Sequence, residues 1–370
     1  MQKTSLTPDT QSPLDTEGQS VLRSLRISRM ILPVTLGLAA IGYLIYTKFD
    51  AEQFRSIRWS AQAFGWMAGA LGLLVIRHFF YAFRLRTLTG DVFSWRKCLQ
   101  LMVLWEFSAA LTPTNKGGPF VMLFVLTRER LAAGRTAAAV FYAMVCDAGF
   151  FVLSLPVLLA VYGPAMLYPG AKTFEEVWVA SGVFFSTYAF MCSYWCVLVF
   201  FLFIKPRYAK NALGWLARRS FLQKQAPRLL RLGDEFELAA GEMRGQSWTY
   251  HLRVIIGTLG AWTCKFLMIN CLLIAIVPTT PIDGVTQAFV YARMVAMFII
   301  MAAAPTPGGS GVAEVLFATL IADFVPAAGV AMVVALVWRS MAYYGYLLLG
   351  AFIVPGWVAK MLKRDEVPVT

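Results

Sequence analysis

Eight charged side chains lie inside stretches that are otherwise apolar: Arg77, Glu106, Lys116, Asp147, Lys265, Arg293, Glu314 and Arg339. At the centre of a bilayer each would cost at least about 2.5–3.5 kcal/mol, so each needs a partner or a ligand. Lys116, Arg293 and Arg339 are the candidates to bind an anionic head group, with Lys265 beside them. Arginine suits this role because its planar fork offers phosphate two parallel hydrogen bonds. Glu106, Asp147 and Glu314 are the acids that a proton-coupled carrier would use. The same residues could instead pair internally, Asp147 with Arg339 and Glu106 with Lys116, while Glu314 could cap a helix start. Arg77 lies close to one end of its apolar stretch and is expected to snorkel outward. No catalytic residue stands out. His78 and His251 are far apart, and no Cys/His cluster has zinc spacing, so neither metal nor cofactor is expected.

The elements holding these residues are membrane spans. Hydrophobic residues make up 59% of the 370 and charged residues only 14%, with a mean hydropathy of +0.64. A soluble chain keeps roughly a quarter of its residues charged. Apolar segments run at 30–47, 61–83, 136–162, 178–204, 253–277 and 327–353, each near or above the ~20 residues that cross hydrocarbon. All six cysteines fall in apolar segments, which argues against a disulfide framework. Residues 1–29 read as a largely disordered cytoplasmic tail, 30–354 as one transmembrane domain and 355–370 as a second cytoplasmic tail.

Two further apolar stretches break in the middle. In 98–127 the interruption contains Pro113, Lys116, Gly117 and Gly118; in 286–324 it contains Pro305, Pro307, Gly308, Gly309 and Gly311. The arm 98–112 would be ~22 Å long, short of the ~30 Å hydrocarbon core. Proline and glycine at the breaks remove helical hydrogen bonds. Re-entrant hairpins follow, shielded from lipid because unpaired backbone survives at membrane depth only beside protein or water. The fold class is therefore all-α and polytopic, with about six spans and two broken hairpins.

With the N-terminus inside, 24 of the 33 basic residues fall on cytoplasmic segments and four on outer loops. That bias follows the positive-inside rule and places both termini in the cytoplasm. It also accounts for the net charge of +13 without nucleic acid. The connector 205–252 has an amphipathic stretch around Trp215 that suits either the anionic inner leaflet or solvent.

Residues 61–162 and 253–354 share one layout at an offset of 192: span, broken hairpin, span. Pro113 falls on Pro305 and Asp147 on Arg339. The single span 178–204 gives the copies opposite senses. Inverted repeats whose broken helices meet at mid-membrane are a signature of secondary transporters, and converging helix N-termini attract anions.

Ala304-Pro-Thr-Pro-Gly-Gly-Ser-Gly-Val-Ala-Glu314 resembles the Pro-Gly-Gly-x-Gly-x-x-Glu signature of the lysylphosphatidylglycerol synthase transmembrane, or flippase-like domain, family. That family includes the membrane half of the bacterial multiple peptide resistance factors. The break Leu111-Thr-Pro-Thr-Asn-Lys-Gly-Gly118, the basic cluster at 128–135 and Arg339 are similar to family features too. Lys116, Pro119 and the lone acid Asp147, where an acidic-basic pair is usual, depart from the pattern. The chain ends at Thr370 without a soluble aminoacyl-transfer domain, so the resemblance implies the flippase part without the synthase part.

The expectation is a non-enzymatic flippase of the bacterial inner membrane, moving a phospholipid, an aminoacylated lipid or a polyprenyl-linked carrier by alternating access. Its partners would be membrane lipids, an anionic lipid substrate and a separate lipid-modifying synthase. An integral membrane enzyme acting on a lipid-linked substrate, or a subunit presenting lipid to a synthase, are the alternatives. The sequence leaves the lipid, direction, energy source and oligomeric state open.

Overall fold

The computed structural model describes residues 59–111, 117–167, 169–171, 173, 182–219, 223, 225–304, 309, 312–326 and 328–365. The expected span 30–47 and the N-terminal tail lie outside the described residues, as do Pro113, Lys116, Pro305, Pro307, Gly308 and Gly311. Among the described residues the chain is helical, without strands. In order the helices are α1 (Ala61–Leu88), α2 (Trp95–Leu111), α3 (Gly117–Arg128), α4 (Ala133–Tyr162), α5 (Gly182–Val199), α6 (Pro206–Ala217) and α7 (Ala226–Arg244). They continue with α8 (Trp248–Ile276), α9 (Gly284–Met301), α10 (Val312–Leu320), α11 (Ala328–Arg339) and α12 (Gly345–Asp365). Wider π-helical turns extend α5 through Phe200–Ile204 and join α11 to α12 through Ser340–Tyr344.

Among the described residues, six helical segments are long and apolar enough to cross a membrane: Ala61–Leu88, Ala133–Tyr162, Phe184–Ile204, Trp248–Ile276, Gly284–Met301 and Gly329–Met361. Their outer faces carry large exposed apolar side chains such as Phe64, Leu71, Leu153, Val157 and Phe352. Lipid, not water, suits such a surface.

Each Pro/Gly break separates two helices, as expected, but the two hairpins are unequal. In the first, α2 and α3 pack closely: a Cβ on Gly118 would lie 2.9 Å from Ala109 Cβ. In the second, α9 has 18 residues and reaches ~27 Å, so this arm alone is of near-spanning length, longer than a re-entrant reading requires. Its return arm α10 has only nine residues, about 14 Å.

The two spans related by the 192-residue offset, α1 and α8, pack against each other. Gly257 and Gly260 admit Phe80 and Arg84 so closely that a Cβ on Gly260 would stand 2.6 Å from the Phe80 ring. Further along α8, Phe266 and Met268 share a buried cluster with Ala70. As numbers rise on α8 they fall on α1, so the pair is antiparallel. The connector is not a plain tether. α6 and α7 form a helical hairpin, and α7 docks on α4, where Glu235 accepts from the Gly134 N–H at 3.1 Å. This fixes the start of α4, the helix that carries Asp147.

Candidate functional site

A stripe of α1 at helical spacing, Arg77, Tyr81, Arg84 and Leu88, turns inward and is buried. Both guanidinium groups lie 4.9 Å from the Tyr81 ring centre, one on each side in sequence. Arg77 does not snorkel. Its Nη2 donates to Glu106 Oε1 at 2.8 Å and its Nη1 to the Tyr346 hydroxyl at 3.3 Å. The Tyr346 hydroxyl also meets His78 Nδ1 at 3.1 Å, while His78 Nε2 lies 3.1 Å from the Leu99 carbonyl. A carbonyl only accepts, so Nε2 carries the proton, and a neutral ring then takes the Tyr346 hydrogen on Nδ1.

The apolar run ends at Phe83, which places Arg84 just beyond it. The helix continues to Leu88, and Arg84 grips both oxygens of Asp147 at 2.6 and 3.1 Å. Thr258 on α8 accepts another Arg84 hydrogen at 3.2 Å, and Trp262 donates to Asp147 at 2.9 Å. Asp147 therefore pairs with Arg84, not with Arg339.

Arg339, the last residue of α11, approaches Glu314 Oε1 at 3.2 Å, with both side chains almost completely buried. Glu314 sits in the first turn of α10, where a carboxylate complements the helix dipole. The π-helical turn after Arg339 presents Tyr343, whose ring centre is 4.3 Å from the guanidinium. The Tyr343 hydroxyl donates to the Ala110 carbonyl at 2.9 Å. Ala110 is at the end of α2, where carbonyls lack helical partners. The last span thereby satisfies the backbone of the first hairpin at its break.

These elements border a partly open cavity of about 40 Å³, lined by Glu106, Lys265, Arg339, Tyr343, Tyr346 and Phe298. Ala110 and Met301, each next to a Pro/Gly break, also line it. Gly309, within the second break, has φ +69° and lies against the Met301 methyl. Its backbone conformation favours glycine. Lys265 points its ammonium at two rings, 4.7 Å from Trp262 and 4.5 Å from Phe298. Among the described residues it has neither an ion-pair partner nor a hydrogen-bond acceptor.

Of the residues singled out in the sequence, the structure brings Glu106, Lys265 and Arg339 to one cavity, with Glu314 directly behind Arg339. Arg293 does not line it. Arg293 donates to the Leu320 carbonyl at 2.7 Å, the Ala165 carbonyl at 3.1 Å and Asp323 at 2.7 Å. These bonds tie α9 to α10 and to the turn after α4. Glu106 is held by Arg77; Lys116, its expected partner, lies outside the described residues. Gly117 and Gly118 open α3. Tyr343, Tyr346 and Arg84 escaped the sequence reading, although the Arg77-Tyr81-Arg84 spacing was a usable helical signal.

The model of the lysylphosphatidylglycerol synthase TM region matches residues 30–350. The chain belongs to that family. The match takes in both hairpins, the antiparallel pair α1 and α8, and every residue of the cavity. Within the family's reach is a UPF0104 membrane protein of Archaeoglobus fulgidus, 26% identical over 338 residues, which cover 85% of this chain and 95% of the relative. No solved structure matches the chain. The family signature Pro307-Gly-Gly-Ser-Gly-Val-Ala-Glu314 has a physical reading at its end: Glu314 is the carboxylate against which Arg339 is set.

Proposed function

We propose that this membrane protein is a lipid flippase that passes an anionic head group through the polar seam between its two hairpins while the tails stay in lipid. The observation that carries this reading is the cavity holding Glu106, Lys265 and Arg339. It draws its lining from both halves of the chain and touches the end of a helix at each Pro/Gly break. A polar chamber framed by broken helices is where carriers hold substrate. The antiparallel packing of α1 on α8 supports an inverted repeat, the arrangement that gives alternating access.

At about 40 Å³ the chamber holds on the order of one to three waters. A head group therefore enters only as the lining elements part. In this reading the basic loops face the cytoplasm of a bacterial inner membrane, and both termini lie there. The protein moves lipid without altering it and would serve a separate lipid-modifying synthase.

The test is reconstitution of the purified protein in liposomes carrying fluorescent phospholipids, with dithionite quenching of the outer leaflet. Lipid exchange by the wild-type protein, reduced at least tenfold by Arg339→Ala in protein that inserts normally, is expected. Exchange no faster than in empty liposomes for any lipid would overturn the proposal, and a chemically altered lipid would establish an enzyme instead.

A further inference from the structure

Among the described residues the charges around the cavity do not cancel. Around it lie three carboxylates, and each has its own arginine: Glu106 with Arg77 at 2.8 Å, Asp147 with Arg84 at 2.6 Å and Glu314 with Arg339 at 3.2 Å. Lys265 is the cation left over among the described residues. Its ammonium lies over the faces of Trp262 and Phe298, which attract a cation, and the nearby carboxylates of Glu106 and Asp147 are each already bonded to an arginine. An ammonium at membrane depth without a carboxylate of its own is expensive, and an arriving anion offsets that cost.

From this balance we infer that the cavity selects a head group of one net negative charge, a phosphodiester, over zwitterionic and cationic head groups. The inference rests on the flippase reading and narrows its substrate class. A phosphodiester anion beside Lys265 completes a fourth neutral pair. A zwitterion brings its own ammonium and leaves the count one positive too many. A lipid esterified with lysine, whose head group is a net cation, adds repulsion from Lys265. Aminoacylated lipids thus fall on the disfavoured side, although the family's name refers to one. The lining adds a hydroxyl suited to an anion. Tyr346 accepts from Arg77 and lines the cavity, so it can turn its hydrogen from His78 onto a phosphate oxygen.

The experiment is binding to detergent-purified, full-length protein by native mass spectrometry and by quenching of tryptophan fluorescence. The probes are dioctanoyl phosphatidylglycerol, phosphatidylcholine, phosphatidic acid and lysyl-phosphatidylglycerol, with dimethyl phosphate as the free phosphodiester. Phosphatidylglycerol is expected to bind at least tenfold more tightly than the zwitterionic or lysylated lipid. Lys265→Gln should remove that preference and Lys265→Arg should restore it, both variants being checked for wild-type thermal stability. Binding of dimethyl phosphate alone would make the site one for a free anion and overturn the lipid assignment. Tighter binding of phosphatidic acid, equal binding of all head groups, or full selectivity in Lys265→Gln would overturn the inference. The liposome assay separates the two ideas. Exchange without charge preference sinks the inference and spares the flippase; selective binding without any exchange does the reverse.

Discussion

Arg84 and Asp147 form a two-pronged ion pair, 2.6 and 3.1 Å between the guanidinium and the two carboxylate oxygens, that joins α1 to α4. Because Thr258 and Trp262 of α8 bond the same pair, three long helices meet there. Removing one partner leaves a buried charge without compensation, typically about 3–5 kcal/mol. Arg84→Ala and Asp147→Ala should each lower the thermal unfolding temperature in detergent by several degrees. The double variant should lose much less than the two single losses together. Additive losses in this double-mutant cycle would show that the pair contributes no coupling.

Two helix contacts, α1 with α8 and α2 with α12, each depend on a glycine's missing side chain. A Cβ on Gly257 would lie 2.9 Å from Arg84 Cβ and 3.1 Å from the Phe80 carbonyl, and one on Gly350 would lie 2.1 Å from Phe107. Phe107 cannot retreat easily, since its own Cβ is within 2.7 Å of the same point. Gly257→Ala and Gly350→Ala should therefore destabilise by about 1–3 kcal/mol through overpacking. Gly69→Ala, on the open face of α1 with nothing within 4 Å, is the control and should be neutral or slightly stabilising. Equal behaviour of all three in thermal unfolding would contradict the packing.

At the start of α9, Asp283 accepts from the Thr286 N–H at 2.9 Å, and that bond holds its carboxyl below the usual aspartate range. The folded value is depressed, so the cap's contribution is present above the unfolded-chain value, about 3.9. It is lost as pH falls through the folded value. Asp283→Asn keeps an oxygen for the N–H but does not titrate. Relative to this variant the wild type should lose unfolding temperature below about pH 4. Parallel pH profiles would remove Asp283 as the cause.

What could be read from the residues was the cost of each buried charge; what could not was its direction. Arg77 lies near the end of an apolar run and looked free to reach the interface, yet its face of α1 is covered by α12, where Tyr346 receives it. Hydropathy cannot place a residue around a helix when lipid and protein sides are equally apolar, as they are on α1. Both breaks were legible because proline and glycine act locally. That Ala110 and Met301 border one chamber depends on long-range packing, which no local pattern encodes. Arg293 looked like an anion site because its acceptors include the backbone carbonyls of Leu320 and Ala165, invisible as residue types.

Arg339 and Glu314 join the end of α11 to the first turn of α10, behind the cavity wall. A variant that lacks only the arginine leaves Glu314 buried, so loss of transport and loss of stability must be told apart. Arg339→Ala should reduce lipid exchange at least tenfold and also lower stability by about 3 kcal/mol. Adding Glu314→Gln, which removes the stranded charge, should recover most of the stability and none of the exchange. If the double variant regains transport with its stability, Arg339 acts only as the counterion of Glu314 and takes no part in moving a head group. If exchange stays low in a stable double variant, the cation itself is required at the cavity.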